Sequence, residues 1–80
     1  MKEKTFAQIA PKLRRAALKA SRNAGATEDE AEDIAQDAML RFWQMHNELE
    51  RFRSLEAVAG KMARNLTLNM HRKKKFKTLD

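Results

Sequence analysis

Three stretches of the chain repeat apolar residues at three- and four-residue intervals, the spacing that places side chains on one face of an α-helix. In the first, Phe6, Ile9, Leu13, Ala16, Ala17, Ala20 and Ala24 share one side, while Lys12, Arg15, Lys19 and Arg22 gather on the other. The pattern predicts a helix from about Thr5 to Ala24, ended by Gly25 as a left-handed cap. Pro11 falls inside it, where a proline either kinks a helix or starts one anew, because it lacks a backbone N–H and its ring crowds the preceding turn. The small alanines predict close packing against a neighbour.

The second stretch begins at Thr27, which with Glu30 fits a capping box, each side chain closing on the other's backbone N–H. A helix from there to about Asn47 buries Ala31, Ile34, Ala35, Ala38, Phe42, Met45 and Leu49. Diametrically opposite lie Asp33, Gln36, Asp37, Leu40 and Gln44. A leucine within an acid and amide face suits a protein partner, although single exposed leucines are also ordinary. Residues 48–54 form the connection, and Ser54 is placed to cap a third helix running to about Lys73. Leu55, Ala59, Met62, Leu66 and Met70 make its apolar stripe, with Val58 and Ala63 at the edges. Lys61, Arg64, Asn65, Leu68, Arg72 and Lys75 lie outward.

The expected fold is therefore all-α, a compact bundle of three main helices, the first kinked or split at Pro11. Its core is expected to join Ile9, Leu13, Ile34, Phe42, Met62 and Leu66, with Trp43 half-buried at the edge. Only Gly25, Gly60 and Pro11 punctuate a chain otherwise rich in strong helix formers, which supports the same reading. Eighty residues suffice for a single domain over 1–80, with 74–80 a basic tail expected to fray.

Charge adds what periodicity cannot. The net charge of +6 is segregated: residues 1–27 carry seven basic and one acidic side chain, residues 28–37 six acidic and no basic, and residues 51–80 nine basic and two acidic. Helix-dipole complementarity explains acids in a first turn, but not a basic, acidic, basic succession over the whole chain. The basic balance marks a binder of polyanions.

Catalytic chemistry finds little support. The absence of cysteine excludes disulfides, thiol catalysis and thiolate zinc sites. His46 and His71 lack the spacing of a metal pair on one helix face and read as ordinary surface or helix-end residues. The acids of residues 28–37 lack the glycine turn and alternating ligands of a calcium loop. Neither a glycine-rich phosphate loop nor a serine elbow occurs. No enzymatic activity, metal or cofactor is expected. No apolar run approaches the ~20 residues of a membrane span, and Met1 to Ile9 is too polar for a signal-peptide core. A soluble, cytoplasmic protein without membrane insertion is expected.

Nucleic-acid binding fits better, because the third helix joins cations able to reach phosphates with Asn65 and Asn69, amides able to read base edges. Arg51, Phe52 and Arg53 place an aromatic between two cations just before it, an arrangement that suits stacking on unpaired bases. Phe52 could equally cover the core.

Two strings then acquire meaning together. Residues 31–43, Ala-Glu-Asp-Ile-Ala-Gln-Asp-Ala-Met-Leu-Arg-Phe-Trp, resemble the acidic helix of region 2 in bacterial RNA polymerase sigma factors of the sigma-70 family, particularly the extracytoplasmic-function type. Residues 62–69, Met-Ala-Arg-Asn-Leu-Thr-Leu-Asn, followed by Arg72 to Lys75, resemble its basic helix. The resemblance covers Phe6 to about Lys75, and the order and separation of the two strings match.

The resemblance implies a transcription initiation domain that docks on the clamp-helix coiled coil of the polymerase β′ subunit through Asp33, Gln36, Asp37, Leu40 and Gln44. It also implies capture of the non-template strand of the promoter -10 element, with help in melting the duplex. The DNA candidates are Arg51, Arg53, Lys61, Arg64, Asn65, Leu68, Asn69, Arg72, Lys73, Lys74 and Lys75. Val58-Ala59 replaces the Trp-Leu pair of many relatives, the loop after Phe52 is shorter than in relatives that hold a flipped base there, and Asn69 stands where an acid is usual. No second helix-turn-helix domain for -35 recognition follows, so the chain reads as one domain of a longer factor. The alternatives are a helical protein-interaction module, its partner an anti-sigma factor and not DNA, or a generic duplex-DNA binder.

Overall fold

The computed structural model describes residues 2–77, and side chains as far as Lys73. Three helices account for nearly all of them: α1 (Glu3–Asn23), α2 (Glu28–Gln44) and α3 (Leu55–Lys77), with a short 3-10 helix over His46–Arg51 between the last two. No strand occurs among the described residues.

The helix boundaries follow from local chemistry. At the end of α1, Gly25 adopts φ +102°, its N–H donates to Arg22 C=O at 3.0 Å, and Ala26 N–H donates to Ser21 C=O at 3.0 Å. These are the two bonds of a Schellman turn, and a left-handed residue makes them possible. The capping box opens α2 as expected: Glu30 N–H donates to Thr27 Oγ1 at 3.2 Å, and Thr27 N–H donates to Glu30 Oε1 at 2.8 Å. Ser54 caps α3 by accepting from Ala57 N–H at 3.2 Å.

Three boundaries differ from expectation. The first helix starts at Glu3 and runs unbroken through Pro11. The second stops at Gln44, not near Asn47, and the connection tightens into the 3-10 turn that buries Leu49. The third continues to Lys77, past the expected end near Lys73. The expected fraying of 74–80 falls on residues whose side chains, or whose placement altogether, lie outside the described set.

Packing is organised around α1, which contacts both other helices. One end of the core is built from small residues, where Ala17, Leu18, Ala31, Ile34, Ala35, Ala38 and Ala63 pack together. The other holds the bulk: Phe6, Leu13, Phe42, Leu49 and Ala59. Leu13, Ile34 and Phe42 are buried as expected, whereas Ile9, Met62 and Leu66 are only partly covered. On α3 the fully buried line is Ala59, Ala63 and Thr67. Ala63 was expected at an edge, and the buried line is rotated from the Met62, Leu66, Met70 stripe because α3 meets α1 through small side chains. A Cβ built on Gly60 would lie 3.7 Å from Ala20 Cβ, and Ser21 reaches Thr67 at 2.8 Å. Close approach through alanine, glycine and hydroxyl residues leaves Leu66 and Met70 to fill the side toward α2.

Candidate nucleic-acid interface

Along α3 the side chains of Lys61, Arg64, Asn65, Leu68, Asn69, Arg72 and Lys73 are all exposed, and Leu68 keeps 43% of its surface in solvent. The helix places these groups along about 18 Å of axis between Lys61 and Lys73, at roughly 1.5 Å per residue. Arg51, Phe52 and Arg53 stand exposed at its N-terminal end, where Arg53 and Phe52 border a shallow groove with Lys12 and Glu56. Lys12 and Glu56 are 3.7 Å apart there. The side chains of Lys74 and Lys75 lie outside the described residues.

The basic side chains do not form one uniform surface. Toward α1, Lys61, Arg64 and Asn65 border a groove with Ala20, Asn23, Ala24 and Gly60, whose lining holds no carboxylate. Toward α2, Asn69, Arg72 and Lys73 border a second groove with Asp33, Asp37 and Arg41. The division follows from packing: α3 lies deep against α1 and more loosely against α2, so a cleft opens between the acidic and basic helices. Asn23 was not among the sequence candidates. Its only signal was indirect, in the small residues that let the last turn of α1 meet Gly60.

The outward face of α2 is placed as expected. Asp33, Gln36, Leu40 and Gln44 are exposed, and Asp37 is half-buried. Leu40 keeps 55% of its surface in solvent within this acid and amide row. Asp37 accepts from Arg41 Nε at 3.2 Å one helical turn away. On the flank toward α1, Gln36, Met39 and Glu32 meet Phe6, Ala7, Ala10, Pro11 and Arg14 in a mainly apolar groove, with Arg14 paired to Glu32 at its end.

The remaining aromatic and histidine side chains have structural partners. Trp43 meets Phe6 edge-on at 5.4 Å between ring centroids and stacks on His46 at 4.4 Å. It is 39% exposed, close to the half-burial expected. His46 Nδ1–H donates to Trp43 C=O at 2.7 Å; since a carbonyl only accepts, the proton must sit on Nδ1. His71 Nε2 lies 3.5 Å from Glu30 Oε1. Among the described residues no cluster of His, Cys, Asp and Glu forms a metal-binding group, and no helix is long and apolar enough to cross a membrane.

A family model described as Sigma-70 region 2 matches residues 5–77. The chain belongs to the sigma-70 region 2 family. Neither the curated proteins nor the solved structures yielded a match. Sigma-70 region 2 is in general a non-enzymatic transcription initiation domain that binds RNA polymerase and recognises the promoter -10 element. The match spans α1, α2 and α3 together, so the acidic face of α2 and the basic face of α3 both fall within the sigma-70 region 2 segment.

Proposed function

We propose that α2 docks on the clamp-helix coiled coil of the polymerase β′ subunit through Asp33, Gln36, Asp37, Leu40 and Gln44. The basic face of α3 captures the non-template strand of the -10 element as the duplex opens. The observation that carries this reading is the separation of the two surfaces. Acidic and amide side chains with an exposed leucine occupy one helix, and exposed cations with Asn65 and Asn69 occupy another. Phosphate-reaching cations would set the register, and the amides would read bases. Lys74 and Lys75 extend the same basic sequence. The acidic string of residues 31–43 and the basic string of residues 62–75 support the extracytoplasmic-function type, and the site of action is the cytoplasm, where the polymerase works.

The test is promoter opening by this domain reconstituted with core polymerase. Replacing Arg64, Asn65 and Arg72 together by alanine should abolish opening while leaving helicity unchanged, since all three side chains are exposed. Intact opening would refute the DNA assignment. An anti-sigma factor is a second partner for the same acidic face, because the exposed Leu40 offers it an apolar anchor. On that reading the factor competes with polymerase, and variants of Leu40 lose both partners together.

A further inference from the structure

We infer that the groove between the last turn of α1 and the first half of α3 receives the edge of one unpaired base, with Asn23 as a second reading amide opposite Asn65. The inference rests on the reading of α3 as the strand-binding helix and extends that site to a helix outside the basic one.

Charge selects this groove over its counterpart. Both grooves beside α3 carry cations and amides. The one toward α2 also carries Asp33 and Asp37, which repel a polyanion, whereas the one toward α1 is lined by no acid. Its cations are available: among the described residues, neither Lys61 nor Arg64 pairs with a carboxylate. Lys19, exposed one turn before Asn23, adds a cation to the α1 rim.

Shape and hydrogen-bonding capacity agree with a base as the occupant. The groove encloses about 480 Å³ and is open to solvent along the exposed side of α3. Ala20, Ala24 and Gly60 leave its floor without long side chains, which lets a flat ring lie against backbone and methyl groups. Two amides border it from opposite helices, Asn23 on α1 and Asn65 on α3. Each offers two donors and an acceptor, so each can pair with a base edge in two bonds; the donor and acceptor of adenine are the best match for such an amide. Lys61 and Arg64 would hold the phosphates on either side of that base. On the reading of α3 as the strand-binding helix, the occupant is a base of the unpaired strand.

The experiment measures binding of a fluorescent, single-stranded, promoter-like oligonucleotide to this chain in complex with core polymerase, using a set of strands varied one base at a time. Asn23→Ala should weaken the preferred strand about tenfold and flatten the preference at a single position, with the salt dependence unchanged. Asn23→Asp, which places a carboxylate in the groove, should weaken all strands. The thermal melting of both variants reports whether the helix end is intact. If Asn23→Ala and Asn23→Asp both leave affinity and preference unchanged while Arg64→Ala weakens binding, the groove is no subsite and the reading of α3 stands. If Arg64→Ala and Arg72→Ala also leave binding unchanged, the strand-binding reading fails and this inference with it.

Discussion

Ser21 on α1 donates a hydrogen bond to Thr67 on α3 across the small-residue contact between the two helices. Their hydroxyl oxygens are 2.8 Å apart and both residues are fully buried. The direction is set by proton count: Thr67 has one hydroxyl proton, which goes to Ala63 C=O at 2.8 Å, so Ser21 must supply the other. No buried side-chain polar atom among the described residues lacks a partner, and this relay is how α3 buries a threonine without that cost.

Thr67→Val should therefore cost more than Ser21→Ala. The valine leaves the Ser21 hydroxyl facing an apolar group, at about 1 to 3 kcal/mol, whereas Ser21→Ala removes one bond worth about 1 kcal/mol. The double variant should be no less stable than Thr67→Val alone, since it removes both partners. Chemical denaturation of the four proteins of the cycle checks the order, and equal single costs would contradict the assigned direction.

The capping box of α2 makes a second stability prediction. Thr27→Ala removes the acceptor for Glu30 N–H and should cost about 1 kcal/mol, a fall of about 4–8 °C in melting temperature for a domain of this size. Thr27→Ser, which keeps the acceptor, should restore most of it.

On the acidic face, Asp37→Arg combined with Leu40→Ala should weaken core-polymerase binding about tenfold or more, as loss of a central apolar anchor does at protein interfaces. Leu40 is exposed and the half-buried Asp37 lies on the same outward face, so stability should shift by only about 0.5 kcal/mol. Loss of the Asp37–Arg41 pair accounts for about 0.3 to 0.5 kcal/mol of that. Titration of labelled polymerase core with the variant measures the first effect and thermal melting the second.

Salt separates the roles of the basic residues. Lys61→Ala and Lys73→Ala should each lower the slope of log affinity against log salt by about 0.7 for a single strand, with little change in sequence preference. Asn65→Ala should leave the slope alone and alter the preferred base at a cost of about 1 to 3 kcal/mol. Anisotropy titrations at several salt concentrations distinguish them.

The helices were legible because periodicity, the Thr27 box, Ser54 and Gly25 all pointed the same way. What the sequence hid was relative rotation. The stripe drawn through Met62, Leu66 and Met70 weighted large apolar residues, yet helices approach most closely through small ones, and Ala63 and Thr67 became the buried line. Leu18 was missed for a related reason: α1 lies against two helices, so its covered arc is wider than one stripe. The exposed face of α2 could be read by projection, since the residue opposite a buried stripe faces solvent whatever the neighbours do. The acid-lined cleft between α2 and α3 and the position of Asn23 depend on which helices approach closely, and one strand of sequence carries no such distance.

Pro11 gives α1 a mechanical seam. Without an N–H on this residue, the C=O of Ala7 has no helical donor, and the hydrogen-bond ladder loses one rung where the first two turns join the rest. The turns before the gap are held to the bundle by Phe6, buried against the core and edge-on to Trp43, and by the partly covered Ile9 and Ala10. The segment from Glu3 to Ala10 can thus open as a unit while the remainder of α1 stays docked on α3, a sub-global unfolding with its own free energy. Amide protons before the proline should exchange with solvent well ahead of those around Ala17, and Pro11→Ala should close that interval by mending the ladder.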